Sequence, residues 1–148
     1  MPLLKAALNQ GLPAAEDAPY PDSVAAAANA WATAVQGWAA GILPPSTTVA
    51  AAVSALEPQL VAAFSSGDAA GPMDSAFVSF AVVLGAGMLP AYLATPPAGP
   101  PGFASIFAQP APETRAEGVE RVAALLDSWM RTGTAQLVLP PKTVTPWA

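Results

Sequence analysis

The chain has 148 residues, 53% of them hydrophobic, with ten acidic and five basic side chains for a net charge of −5, and it contains neither cysteine nor histidine. The missing cysteine removes disulfides, thiolate metal sites and Cys nucleophiles; the missing histidine removes the usual general base, the usual pH switch and the commonest metal ligand. The five Lys and Arg are scattered along the chain with no cluster to neutralise phosphates, so nucleic acid is not an expected partner.

The length suits one domain. Alanine fills 36 positions, whereas Leu, Ile, Val and Phe together fill 33 of the 148. That fraction stands just above the level of about 20% at which chains cease to fold, and the low charge decides for folding. A thin core of helices held close by Ala and Gly is expected.

In chain order, Met1 to Leu12 lacks the long apolar core and cleavage site of a signal peptide, and within it Pro2 to Asn9 can form two helical turns with Leu4 and Leu8 on one side. Gly11, Pro13 and the run Glu16 to Pro21 break it. From Asp22 to Ile42, the residues Val24, Ala28, Trp31, Val35, Trp38 and Ile42 recur at helical steps, so two tryptophans lie one heptad apart on one face. Asp22 or Ser23 caps this helix, and Gly41 with Pro44–Pro45 ends it. Its back is small, neutral and free of charge.

Ser46 or Thr47 opens a second long helix with Val49, Val53, Leu56, Leu60 and Phe64 on one face. Pro58 inside that pattern predicts a kink or a two-piece helix near Leu56. After a polar loop over 65–72, Asp74 or Ser75 caps a third helix carrying Phe77, Phe80, Leu84 and Met88, with Val78, Val82 and Val83 on the other side, bent or ended by Pro90. Thr95 to Pro112 is dense in proline and reads as an extended strap pinned by Phe103, Ile106 and Phe107. Thr114 and Glu117 form a capping box before a helix that turns Val119, Val122, Leu126 and Trp129 inward. Gly133 stops it, and Leu137, Val138, Leu139 and Val144 favour an irregular hairpin or an arm. The expected fold is all-α: a small bundle of about four main helices with proline-rich straps. Residues 1–132 make an Ala-rich helical domain, and 133–148 an extended C-terminal arm.

Candidate chemistry is sparse. Glu16, Asp17 and Asp22 lie close in sequence but lack the loop spacing of a hard-cation site, and no metal or cofactor is expected. Ser46, Thr47 and Thr48 have no His or nearby Lys to activate them, so capping is their expected role and no catalytic residue is assigned. Gly85 and Gly87 lie in an apolar helix with no following Lys; they permit close packing rather than hold phosphate. Ala76 to Ala94, nineteen residues without charge, meets the length of about 20 for a membrane span. Pro90, the flanking acids Asp68 and Asp74, and the absence of marking Lys or Arg argue against it. A small membrane-associated protein anchored through 76–94 is therefore the alternative reading.

Two stretches, Ser23 to Leu56 and Ser75 to Pro112, contain no charged residue. A free monomer normally covers its solvent face with Lys and Glu, so neighbouring chains are expected to roof these segments. The residues expected at such an interface are Trp31, Trp38, Phe77, Phe80, Leu137, Leu139 and Trp147.

The layout resembles that of small structural proteins of tailed-phage virions and related contractile particles. The resemblance lies in the short leading helix, the Ala-rich helices around Trp31 and Trp38, the linker Pro44 to Thr48, and the helix closing in Trp129 to Ala135 before a tail ending in Trp147. It implies a non-enzymatic subunit of a large particle, a bacteriophage head, neck, tail or baseplate. Its partners would be copies of itself and other particle structural proteins, and its location the virion after assembly in the host cytoplasm.

Overall fold

The computed structural model describes Leu3, residues 5–12 and residues 19–148. The leading helix is α1, Lys5–Gly11, with Leu8 buried. Leu4, the other half of its expected apolar side, lies outside the described residues. The Trp stretch forms α2, Val24–Ala39. Its N-cap is Ser23, whose hydroxyl oxygen accepts the Ala26 N–H at 3.1 Å and so satisfies one of the donors a helix start leaves open.

The next helix, α3, runs unbroken from Val49 to Phe64 through Pro58, so the two-piece helix expected there does not form. Pro58 and Ser54 are both exposed, so the Ser54 carbonyl, which loses its ladder partner to the proline, lies on the solvent side of the helix. Leu56 and Leu60 are fully buried and hold the turns on either side of the proline.

Helix α4, Ala70–Ala86, starts before its expected caps. Pro72 is tolerated in the first turn, where an N–H has no helical partner anyway, and the Asp68 carboxylate accepts the Ala70 N–H at 3.3 Å. Asp74 caps a different element. Its Oδ1 accepts the backbone N–H groups of Gly102 and Phe103 at 2.9 and 3.0 Å, at the start of the short helix α5, Phe103–Phe107. The proline-dense segment is thus part helix, pinned by a fully buried Phe103 while Phe107 stays exposed. Helix α6, Arg115–Met130, opens on the predicted capping box: Thr114 accepts the Glu117 N–H at 3.1 Å. The Glu117 carboxylate reaches back to the Glu113 N–H rather than to Thr114 itself.

Each helix packs on its neighbours in chain order, and α6 closes the circle onto α1. Lys5 donates to Glu120, Asn9 donates to Glu120 at 2.8 Å, and Arg131 donates to the Leu3 carbonyl at 3.1 Å.

The fold is mostly helical but not all-α. Strands β1 (Tyr92–Thr95), β2 (Thr134–Leu137) and β3 (Val144–Pro146) form an antiparallel sheet in the order β1-β2-β3. Of the two forms expected for the tail, an irregular hairpin or an extended arm, the chain takes the hairpin, β2 with β3, and pairs it with β1. Tyr92 pairs with Leu137 and Thr95 with Thr134, and Thr134 pairs with Pro146 on its other side. The reason is backbone satisfaction: a tail rich in Leu and Val finds in β1 the ladder it would otherwise need from water or a neighbour. Trp147 then closes the structure, fully buried, its indole N–H donating to the Thr134 carbonyl at 3.0 Å.

The uncharged run Ala76 to Ala94 is not one helix. It leaves α4 at Ala86, turns, and continues into β1. No helix among the described residues is long and apolar enough to cross a membrane.

Candidate functional site

The large rings expected to meet other chains sit mostly inside this one. Trp38, Phe77, Phe80 and Trp147 are all buried, which corrects their assignment to an interface. A chain short of Leu and Ile draws its aromatics inward, where each buries about 150–250 Å². Trp38 also finds an acceptor there, donating its indole N–H to Asp127 at 3.0 Å. Trp31 is half-buried and packs edge-on against Phe64 with ring centroids 5.6 Å apart. Leu137 is half-buried opposite Tyr92, and only Leu139, 71% exposed at the hairpin between β2 and β3, is a surface residue.

The two uncharged stretches behave differently. In Ser23 to Leu56 the large side chains Val35, Trp38, Ile42, Val53 and Leu56 are buried, and the outside is mostly Ala25, Ala26, Asn29, Ala50, Ala51 and Ser54, with Val24 and Leu43 the two large apolar residues exposed. That surface is mostly bland. The stretch Ser75 to Pro112 instead leaves Val82, Leu89, Leu93 and Phe107 exposed. Val82 and Leu89 on and just beyond α4, with Leu93 of β1, line a shallow groove of about 220 Å³ with Gly85, Ala86, Ala94 and Pro96.

The sheet extends this groove. Leu93 lies opposite Gln136, and Gln136 opposite Val144, so the three form a row on one face. The Val138 N–H donates to the Ala91 carbonyl at 3.0 Å, carrying the β1–β2 ladder one residue further and putting Val138 on the same face by strand alternation. Leu93 is 58% and Val144 57% exposed. With Leu139 at the hairpin, six of the ten large exposed hydrophobics among the described residues gather on α4, the sheet and its hairpin. The other sheet face carries Tyr92, Ala94, Ala135 and Leu137 and packs inward. A Cβ on Gly85 of α4 would come within 3.0 Å of the Ala94 Cβ.

The sheet's edges are partly closed to further strands. The Val138–Ala91 bond sets residues 91, 93 and 95 toward β2, so positions 92, 94 and 96 face outward. Tyr92 already donates its N–H to the Met88 carbonyl at 3.0 Å, and Pro96 has none to give. On β3 the outward positions are 144, 146 and 148. Pro146 again lacks an N–H, and Ala148 exchanges both backbone bonds with Leu43, at 2.9 and 3.0 Å. Each edge thus keeps one outward position with a free N–H, Ala94 on β1 and Val144 on β3, flanked by groups that are bonded already or have none to give, which shortens the edge open to pairing.

Charge follows the same division. All ten acidic residues lie within positions 16–74 and 113–127, so the segments that build the exposed face, 75–112 and 132–148, contain one charge between them, Lys142. Comparison with protein-family models, with curated proteins and with solved structures finds no match to this chain.

Other clusters have structural roles. The Ser46 and Thr48 hydroxyls, weighed above as nucleophiles, each donate at 2.6 Å to a carbonyl in the last turn of α4, those of Leu84 and Val83. Among the described residues no three metal-ligating side chains gather; Glu16 and Asp17 lie outside those residues. Glu117 is held below the ordinary glutamate range by the Glu113 N–H first and Arg121 next, and Glu120 by Lys5 and then Asn9. Both lie at the surface: Glu117 secures the start of α6, and Glu120 ties α6 to α1. A cavity of about 350 Å³ between α2 and α6 is lined by Leu12, Tyr20, Trp31, Val119 and Val122, with the Arg115 guanidinium 3.7 Å over the Tyr20 ring.

In the sequence, the face was concealed by its division between two distant segments. The alternation of Tyr92 to Thr95 with exposed Leu93 and inward Ala94 was the available signal, masked by the apolar helix before it and the prolines after it.

Proposed function

We propose that this chain is a non-enzymatic assembly subunit of a large particle, docking on its neighbours through the uncharged face of α4, the sheet and its hairpin. The observation that carries this reading is the concentration of exposed Val82, Leu89, Leu93, Val138, Leu139 and Val144 where the chain has no acidic residue. Isolated apolar residues on a surface need no explanation, whereas a contiguous, chargeless group at the surface marks a contact site. The resemblance in layout to tailed-phage structural proteins supports a virion component as the particle, with copies of the chain and other structural proteins as partners. A helical bundle with proline-rich straps is the finer description of the fold that goes with it.

The test is the native mass of the purified chain by size-exclusion chromatography with light scattering. An assembly subunit elutes above the 14.8 kDa of one chain or precipitates as concentration rises. A well-folded monomer at high concentration contradicts the reading.

A further inference from the structure

We infer that the cavity between α2 and α6 is a binding site for a small, flat, neutral molecule of two fused rings, held by a hydrogen bond from the Trp31 indole N–H. The site is separate from the face of α4 and the sheet and does not depend on the assembly reading.

The cavity exists because two helices part. Trp38 of α2 donates to Asp127 of α6 at 3.0 Å, which joins the later halves of the two helices. Over their first halves, Ala27, Ala30 and Trp31 on one side and Val119 and Val122 on the other border about 350 Å³. All five are half-buried, whereas Ala123, Leu126 and Met130 further along α6 are fully buried. An apolar cavity of about 150 Å³ takes up a benzene-sized molecule, so this one has room for two fused rings.

Trp31 supplies the polar contact. Of the four tryptophans, Trp38, Trp129 and Trp147 donate their indole N–H groups to Asp127, Gly99 and Thr134 at 3.0, 2.9 and 3.0 Å. No described residue accepts from Trp31. Its ring is packed on the core side by Phe64, Phe77 and Phe103, with centroids 5.6, 6.4 and 6.4 Å away. The N–H still stays accessible, since the one sealed side-chain polar atom without a partner among the described residues is Asn9 Oδ1. A donor that a ligand covers must be given an acceptor, so the molecule that fits carries an oxygen or a ring nitrogen.

The walls select against charge. Besides Trp31, the polar side chains at the cavity are Tyr20 and Arg115, stacked with the guanidinium 3.7 Å over the ring, and Arg115 is engaged already. The other described side chains of the lining are apolar. An ionised ligand would lose its water here without gaining an uncommitted partner.

Quinoline and naphthalene share one shape and differ in a single acceptor nitrogen, so the pair reads the hydrogen bond. Each is titrated into the isotope-labelled chain at neutral pH, following the four indole N–H signals by NMR, with Trp31 assigned through Trp31→Phe. Affinities are measured in parallel by calorimetry. Both probes should move the Trp31 signal to saturation, quinoline further downfield than naphthalene. Trp31→Phe should weaken quinoline about fivefold more than naphthalene, the worth of one neutral hydrogen bond. Ala30→Leu, which fills the space, should abolish binding of both, and Leu93→Asp on the sheet face should change neither. A Trp31 signal unmoved by quinoline, equal weakening of the two probes by Trp31→Phe, or binding that Leu93→Asp removes and Ala30→Leu retains would overturn the site. The native mass, which tests the assembly reading, stands apart from all three.

Discussion

Thr48 donates its hydroxyl to the Val83 carbonyl at 2.6 Å, which makes the linker between α2 and α3 the cap for the end of α4. Ser46 does the same for Leu84 at 2.6 Å, and Thr47 gives both its N–H and its hydroxyl to the Gly87 carbonyl, at 3.0 and 3.2 Å. Carbonyls that a helix end leaves unpaired are thereby satisfied from a distant part of the chain. Gly87 is what permits it. A Cβ there would stand 2.3 Å from both the Ser46 and Thr48 hydroxyl oxygens and 2.6 Å from the Thr48 backbone nitrogen. Gly87→Ala should therefore destabilise the fold by about 1–3 kcal/mol, the usual range for overpacking. Gly71→Ala, at a position with open space around it, should instead be neutral or stabilise by up to about 1 kcal/mol. Urea denaturation of the two variants separates steric exclusion from general helix propensity.

The tail offers a second contrast. Trp147 is seated against Gly133, where a Cβ would lie 2.7 Å from its ring, and against Gly85, where one would lie 3.2 Å away. Trp147→Ala should cost about 3–5 kcal/mol, as for other buried large aromatics. Gly133→Ala should lower the denaturation midpoint as well by displacing the same ring. A free arm would leave the stability of the helical part unchanged in both variants.

Asp127 joins two helices. It accepts the Trp38 indole N–H at 3.0 Å and the Arg131 Nε–H at 2.8 Å. Asp127→Ala strands the buried indole donor and should cost about 1–3 kcal/mol. Asp127→Asn keeps an acceptor oxygen and should cost less. A cycle combining each with Trp38→Phe, read by chemical denaturation, should show the excess cost vanish once the indole N–H is gone.

Acid should loosen the α1–α6 contact first. Glu120 and Glu117 both have pKa values lowered in the folded chain, by Lys5 and by the Glu113 N–H foremost. A carboxylate whose folded pKa is depressed contributes stability that is present above its unfolded value and disappears as pH falls through the folded one. The loss should begin at the ordinary glutamate range and finish below it. Both groups are at the surface, so the effect should be small and weaker in salt. Glu120→Gln should flatten the acid side of the stability curve relative to wild type, followed as urea midpoint against pH.

Helices were the legible part of this chain, because their evidence is local. The 3–4 spacing of Val24 to Trp38, the caps at Ser23 and Thr114, and the inward Phe77 and Phe80 all follow from residues within two turns of one another. What could not be read depends on distance. β1 is four residues long and meets its partner about forty residues later, across a proline-dense segment and a whole helix. The role of Asp74 as cap to α5 was equally hidden, since its partners Gly102 and Phe103 are remote in sequence. The exposed face was half legible. Missing charge in 75–112 pointed to it, but missing charge in 23–56 pointed equally to a surface whose large side chains mostly turn inward. Absence of charge does not distinguish alanine from leucine outside; only packing does.

The central claim is that an uncharged apolar face draws chains together. Sedimentation of the wild-type chain over a range of concentrations, at low and high salt, tests it most directly. An apolar contact without ion pairs should give a mass that rises with concentration and holds or strengthens as salt is added, because salt screens the repulsion between molecules of charge −5 and leaves the apolar term intact. A constant mass of 14.8 kDa at every concentration and salt level, or an assembly that dissociates as salt is raised, would contradict it.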